Sequence, residues 1–449
     1  MANVIKLRKG LDISLKGKAN EVLFTVDEPG IYGIVPDDFP GITPKVLVKP
    51  DEEVKAGTPL FYDKNNPEVK FVSPVSGVVT AVERGARRKV LNVSIRSSQK
   101  QQYIDFGKKD VNKISGDEVK ASLLEAGLFG FMKERPYDVV PNPSNTPRAI
   151  FVSGFDTNPL AGSFEFKLQG EENNFQTGLD ALAKIAKTYL SISVKQSAPA
   201  LTEARNVEIT KFDGPHPAGN VGVQINHIAP IVKGETVWTV APEVVIFIGR
   251  LFNTGYVDFT RTVALVGSEV KEPAYCKLQQ GAQLTTLFKG RVDSDKSLRY
   301  ITGSVLTGRK ISSEGFLGAY DSVISVIPEG DDVHELFGWI MPRTDQFSVN
   351  HSYFSWLQGN KEYALDARIK GGKRNMIFSN EYDKVLPMDI FPEFLIKAIL
   401  AGDIDRMEQL GIYEVAPEDF ALCEFVCSSK MELQKIVRNG LDMLRAEMC

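Results

Sequence analysis

The sequence predicts a multidomain chain of mixed β and α/β units that ends in helices, and three observations carry that prediction. Residues 22–96 break into short β-rich runs separated by Pro, Gly, Asn and Asp turns. Residues 101–258 alternate helical and strand periods, and 259–327 return to strands before a helical end. With 449 residues, 43% of them hydrophobic, the chain has room for three or four units of about 100–150 residues, each able to bury a core. A net charge of -4 and a pI near 5.8 do not support nucleic acid as a partner. The N-terminal stretch breaks every apolar run with a charge and is not a signal peptide. The most apolar run, Ala241 to Arg250, contains Glu243 and falls far short of the roughly 20 residues a membrane span needs, so any membrane association must be peripheral. Four cysteines (Cys276, Cys423, Cys427 and Cys449) fit a reducing compartment rather than a disulfide scaffold.

The first unit, 1–100, has β runs at Val46–Lys49, Thr58–Tyr62, Val69–Val72, Val78–Val82 and Val90–Ile95. The wording VKPDEEVKAGTPLFYDKNNPEVKFVSPVSGVVTAVERG resembles the biotinyl/lipoyl swinging-arm family, which implies a lipoyl-like barrel-sandwich fold. A true carrier would hold its group on Lys64, but Asn65, Asn66 and Pro67 lengthen the tip and the small residue after the lysine is missing. The basic turn from Arg84 to Lys89 reads as solvated.

The second unit, 101–258, turns on VKASLLEAGLFGFMKERPYDVVP, from Val119 to Pro141. Val119, Leu123, Leu124, Ala126, Gly127 and Phe131 share one helical face, and Pro136 and Pro141 are placed to end that helix. A strand follows at Ala149–Ser153, so helix, loop and strand enter a Rossmann-like α/β domain whose ligands belong at loops beyond strand ends. Gripping a phosphate takes several glycines, yet Phe129, Phe131, Met132, Lys133 and Arg135 fill this loop, beside only Gly127 and Gly130. It is bulky where a nucleotide loop must be bare. A helix is expected at Thr177–Leu190, with strands at Leu190–Val194, Val207–Lys211 and Val244–Ile248. The loop Gly214 to Gly222 packs two prolines, three glycines and His216 into nine residues. It reads either as a ligand or partner loop at His216 and Gly219, or as a structured turn with His216 as a hydrogen-bonding prop. His227 has no partner at metal spacing, and no metal ligand set is expected anywhere.

The third unit, 259–330, has the strand, turn and short-helix order of a β-grasp, with Cys276 as a packed thiol. The fourth, 331–449, carries helical periods at Phe391–Leu400 and Met431–Ala446. Cys423 and Cys427 are too few for an iron–sulfur cluster, and the basic segment Arg368 to Arg374 reads as a solvated hairpin or a contact for anionic lipid or an acidic partner.

In this order, IKLRKGLDISLKG, FVSPVSGVVTAVERGARRKVL, LLEAGLFGFMKERPYDVVP, GPHPAGNVGVQINHI, ITGSVLTG and the CEFVC ending resemble the A-subunit family of sodium-translocating NADH:quinone oxidoreductases. The chain is similar, more distantly, to the C subunit of the Rnf complex and the flavin-bearing subunit of complex I. Those relatives carry G-x-G-G-A-x-F where GLFGFMKERPY stands, and a C-P-M run where this chain has Leu386-Pro-Met388. The resemblance implies a β-grasp (SLBB-like) third domain and a C-terminal helical domain with a degenerate iron–sulfur motif. It implies a peripheral subunit on the cytoplasmic face of the bacterial inner membrane, seated on the membrane-embedded B subunit of a six-subunit complex. That complex passes electrons from NADH to quinone and exports Na⁺. No cofactor is expected on this chain; flavins and the iron–sulfur centre belong to other subunits. Phe129, Phe131 and Met132 as walls, Lys133 and Arg135 as donors, and Tyr137 and Phe39 beside them are the expected contacts of quinone or of the neighbouring subunit. The alternative is a cofactor-free structural subunit that caps the membrane part without binding quinone.

Overall fold

The computed structural model describes residues 3–293, 295–331, 337, 340–350, 353–359 and 361–448; Cys449 lies outside them. Two small sheets build the first unit as a barrel sandwich. One pairs Ile31–Ile34, Val90–Ser97, Gly77–Arg84 and Glu53–Val54, the other Pro44–Val46, Pro59–Asp63 and Lys70–Val72. Alternating apolar residues meet between them, and within the second sheet the Phe61 ring stacks 4.8 Å from its cross-strand partner Phe71. Lys64 is exposed at a hairpin tip that the buried Asp63 carboxylate organises, accepting from the Thr43 and Asn65 backbone N–H groups.

The second unit is a six-stranded sheet in the order Asn3–Lys6, Glu208–Asp213, Lys187–Ser193, Ala149–Ser153, Val237–Val240, Met132–Arg135. The first five run parallel, and Met132–Arg135 closes the edge antiparallel to Val237–Val240. The outermost strand thus comes from the start of the chain, ahead of the whole barrel sandwich.

Several local expectations need correction. The helix at Val119 spans only Gly116–Glu125: Ser115 and Glu118 form its capping box, and Gly127, at φ +71°, ends it before Phe131 or Pro136 is reached. The following loop is a 3-10 turn, Phe129–Phe131, leading into the Met132–Arg135 strand. The helix expected at Thr177–Leu190 occupies Glu172–Ile185, and Leu190 lies in the strand Lys187–Ser193. That strand is buried on both faces, so its apolar residues do not alternate and prolong the helical spacing. Val244–Ile248 is not a strand but the middle of helix Pro242–Thr254, which starts on Pro242 and is buried almost all round. A short, wholly apolar run has no period to read.

Helices Glu172–Ile185 and Pro242–Thr254 cross in close contact because each offers a glycine. A Cβ on Gly249 would lie 1.7 Å from the Asn174 carbonyl oxygen, and one on Gly178 2.0 Å from that of Val245. Gly249→Ala is therefore expected to force the helices apart and lower stability by about 1–3 kcal/mol in urea melts, despite alanine's better helix propensity.

The third unit is a six-stranded mixed sheet in which Val323–Pro328 lies parallel to Thr260–Val266, with the short helix Thr285–Phe288 inserted after the hairpin Thr260–Val266 and Ala274–Gln279: the expected β-grasp. Leu23–Phe24, from the chain's beginning, adds its edge. Helices Pro392–Ala401, Ala421–Val426 and Leu433–Met448 close a separate core around Leu395, Ile396, Leu433 and Leu441.

Candidate functional site

From Ala149–Ser153 the sheet grows outward through Lys187–Ser193 to Glu208–Asp213, and the chain then returns to the other side, to Val237–Val240. Adjacent strands whose connections leave in opposite directions splay at their carboxyl ends, and ligands of such sheets sit there. A cavity of about 260 Å³ opens at that point, beyond Ser153 and Val240. Phe131, Phe155, Phe164 and Tyr320 give it aromatic walls; Lys133, Lys167, Asn158, Asp156, Glu243 and Glu418 give it polar ones.

The residues expected from the sequence fall at different depths. Phe131, 3% exposed, forms part of the wall, edge-on to Phe39 at 5.4 Å and 6.1 Å from the Tyr320 ring. Phe39 packs behind it on Phe71, at 4.3 Å. Phe129 faces away, edge-on to Trp238 at 5.4 Å, and Met132 is buried. Lys133 reaches the cavity 4.9 Å from the Tyr320 ring centre, with its ammonium 3.7 Å from Asp138. Tyr137, at φ +85°, points its backbone carbonyl at Arg438 Nη2, 2.6 Å away. Arg135 is 1% exposed and forks onto two acids from the C-terminal unit, Asp419 at 3.1 Å and Glu418 at 2.7 Å.

The loop holding His216 forms the floor. Gly219 lines the cavity, where a Cβ would lie 2.6 Å from the Thr157 backbone nitrogen. His216 is buried: its backbone N–H donates to Asp12 at 2.9 Å, its Nδ1 is 3.1 Å from the Thr157 hydroxyl, and that hydroxyl accepts from Gly219 N–H. Burial holds the imidazole below its ordinary pKa, against the pull of Asp156 and Asp12.

Sequence reasoning missed Tyr320, Lys167 and Glu243. Tyr320 comes from the β-grasp and donates its hydroxyl to the Gly130 carbonyl at 3.0 Å. Lys167 reaches Glu243 at 3.1 Å and the Ser322 hydroxyl at 2.7 Å, a buried pair in the cavity wall. Burial pushes the Glu243 carboxyl up, and the Lys167 ammonium, its own backbone N–H, the Ser322 hydroxyl and the Arg261 guanidinium together outweigh it, leaving it below the usual range. A lysine in FEFKL and a glutamate in APEVV give no sequence sign of meeting.

At the first turn of helix Val221–Ile228, a place where backbone N–H groups favour an anion, the Asp419 carboxylate stands. A Cβ on Gly222 would lie 2.3 Å from its Oδ2, which accepts from Ala416 N–H and pairs with Arg135. Burial raises the Asp419 pKa and Arg135 opposes that rise. The anion seat of the α/β plan is thus taken by the chain's own side chain, in line with the bulky loop. Among the described residues no group of three His, Cys, Asp or Glu is placed to hold a metal. Cys423 and Cys427 are buried, Cys427 2.9 Å from the Tyr382 hydroxyl, and burial pushes the Cys423 thiol up.

Comparison with known proteins identifies the plan. Residues 5–98 match the "NqrA N-terminal barrel-sandwich hybrid domain", 114–257 the "NqrA second alpha/beta domain" and 262–313 the "NQRA C-terminal domain". The A subunit of the Na(+)-translocating NADH-quinone reductase from Yersinia pestis bv. Antiqua (strain Angola) is 35% identical over 451 residues, covering 99% of this chain and 100% of the relative. Its counterpart in Neisseria meningitidis serogroup A is equally similar, and that of Photorhabdus laumondii is 36% identical over 453 residues, with the same coverage. A solved NAD⁺-reducing [NiFe]-hydrogenase aligns with 77% of this chain and 67% of its own, at 13% identity and a TM-score of 0.38. Full-length identity to several such relatives, with the barrel sandwich, α/β domain and β-grasp in the same order, places the chain in the A-subunit family of the Na⁺-translocating NADH-quinone reductases.

Proposed function

We propose that this chain is a peripheral subunit of a Na⁺-pumping NADH:quinone oxidoreductase. It sits at the cytoplasmic face of the bacterial inner membrane, on the membrane-embedded B subunit within the six-subunit complex, and takes part in the quinone-reduction step coupled to Na⁺ export. Flavins and the iron–sulfur centre are carried by other subunits. Relatives across the full chain length bear the name of that reductase, and no described helix is long and apolar enough to cross a membrane.

The observation that carries the quinone role is the cavity wall. Asn220 and Val221 line its edge, and the first turn of the helix they start is already occupied by Asp419, so the space suits an uncharged ring rather than a phosphate. Phe131 and Tyr320 offer aromatic faces, and Lys133 brings an ammonium beside them that can donate to a quinone carbonyl. Phe129, Met132 and Arg135 then support the wall from behind, and Phe39 braces Phe131. Reduction of a quinone consumes two electrons and two protons; the electrons come from the reductant of the complex, and what this chain contributes is the slot and a hydrogen bond that favours charge on the oxygen.

Titration of the isolated chain with a short-tail quinone is expected to show one saturable site of micromolar strength, about 8 kcal/mol. Phe131→Ala and Lys133→Met should each weaken it by about tenfold. Unchanged affinity in both variants would remove the quinone role. The second reading, a structural subunit that caps the membrane part without touching quinone, draws on the pairing of Lys133 with Asp138 and Lys167 with Glu243 inside the same cavity. No binding by the isolated chain and normal turnover of a complex carrying both variants are its expected signature.

A further inference from the structure

The barrel sandwich reaches the cavity from behind, through the 3-10 turn Pro36–Asp38 and the Phe39 that follows it. Phe39 sets its ring 5.4 Å from Phe131 and 5.9 Å from Tyr320, two of the rings that line the cavity. The Asp38 side chain, 11% exposed, turns both carboxylate oxygens to the β-grasp. Its Oδ2 accepts from the Ala319 backbone N–H at 2.9 Å, and its Oδ1 lies 3.0 Å from Arg309 Nη1. Ala319 immediately precedes Tyr320. Asp321 immediately follows it, and its carboxylate accepts from the Thr302 hydroxyl at 2.7 Å. Tyr320 is thus held on each side along the chain, and at the tip of its side chain by the Gly130 carbonyl. A ring fixed in this way is a preformed wall for a ligand.

Of these ties, the one made by Asp38 depends on charge. A proton taken up on either oxygen weakens the contact that oxygen makes, to the Ala319 backbone or to Arg309. Arg309, Asp321, Arg261 and Tyr320 act on the carboxylate from the neighbouring domain, and Asp37, paired with Lys89 at 2.6 Å, acts from its own turn. Burial, with Asp321 and Asp37, pushes the Asp38 carboxyl up to about 6, against the pull of Arg309 and the Ala319 N–H. We propose that Asp38 is a positioning residue for the cavity: ionised, it fixes the Tyr320 ring against the ligand, and on taking up a proton it loosens that ring and weakens binding. The ligand half of this proposal rests on the quinone reading of the cavity.

Titration of the full chain with a short-tail quinone tests it. The dissociation constant is expected to be about fivefold larger at about pH 5 than at about pH 7.5, with a midpoint near pH 6. Asp38→Asn, which cannot ionise, should keep the weaker value at both pH values. That outcome separates Asp38 from Asp321 and Glu418, buried acids that are also raised. Arg309→Met, at a position 44% exposed, removes the cation that lowers the carboxyl and should move the midpoint upward. The ligand-free chain gives a second readout. With carbon-13-labelled tyrosine, the Tyr320 ring signal, assigned through Tyr320→Phe, should shift with the same midpoint and stop shifting in Asp38→Asn. A quinone affinity independent of pH, or a pH dependence that survives Asp38→Asn, would overturn the proposal. So would a Tyr320 signal unmoved by pH, whether or not quinone binds. A signal that follows Asp38 in a chain that binds no quinone at any pH would remove the quinone reading and leave Asp38 as the residue that sets the ring.

Discussion

Arg135→Ala is expected to destabilise the C-terminal unit by about 3–5 kcal/mol, read as an earlier transition in urea melts at neutral pH. Arg135 is 1% exposed and its guanidinium is the counter-ion of Asp419, whose side chain is wholly buried, and of Glu418, which is 38% exposed and contributes less. Without it, Asp419 keeps the Ala416 N–H as its donor and must either stay charged in a low dielectric or take up a proton. Combining Arg135→Met with Asp419→Asn removes both charges and should recover more than half of the loss. A cost below about 1 kcal/mol for the single change would mean that the clamp is not holding the C-terminal unit to the sheet.

Lys167→Met is expected to cost a similar 3–5 kcal/mol, roughly, near neutral pH, and to change how stability responds to acid. In the native chain the Glu243 carboxyl lies below its ordinary range. Its contribution is present above the unfolded carboxylate range and is lost as pH falls through the lower, folded value. With the ammonium gone, burial is the largest influence left, opposed by the buried Arg261 guanidinium, the Ser322 hydroxyl and the residue's own backbone N–H, and the folded carboxyl is expected to rise above the ordinary range. The sign then reverses: the variant binds the extra proton when folded, and its stability falls as pH rises from about 4 upward. Urea midpoints of variant and native chain, compared at about pH 4.5 and about pH 7.5, should therefore draw together at the lower pH, and Glu243→Gln added to Lys167→Met should remove the difference. Parallel pH profiles would refute the assignment.

How much could be read from residues alone follows from distance along the chain. The barrel sandwich is legible because short β-rich runs are bounded by turns that name themselves, such as Ser73-Pro-Val-Ser-Gly77, which carries the chain from one sheet to the other, and Glu83-Arg-Gly85, which opens the hairpin of Gly77–Arg84 with Val90–Ser97. The hairpin Thr260–Val266 with Ala274–Gln279 and the two long C-terminal periods are local in the same sense. The site is not. Its walls come from Phe131, Lys167, Glu243 and Tyr320, and Arg135 meets acids 283 and 284 positions later. Nothing near Arg135 in sequence distinguishes a donor exposed to ligand from a buried clamp; both are a basic residue beside a proline. The bulk of GLFGFMKERPY marks a loop without a nucleotide grip. That Asp419 would fill the vacated seat required the fold, because its only local trace is the small residue at Gly222. Helix Pro242–Thr254 was misread because burial on nearly every side erased the period that identifies a helix.

The strand Asn3–Lys6, which borders the α/β sheet through Glu208–Asp213, also sets a schedule for biosynthesis. A ribosome adds about 5–20 residues each second, so the first strand made waits roughly ten to forty seconds for its partner. The barrel sandwich, whose strands pair with one another between residues 31 and 97, can finish in that interval, while the residues ahead of it trail as an unpaired edge. Lys6, Arg8 and Lys9 in that leading stretch are the residue types that keep such an edge from pairing with another nascent chain. Leu23–Phe24 waits longer still, until Ala274–Gln279 emerges. Premature termination after residue 97 and before residue 208 would thus release the barrel sandwich with an unpaired strand ahead of it.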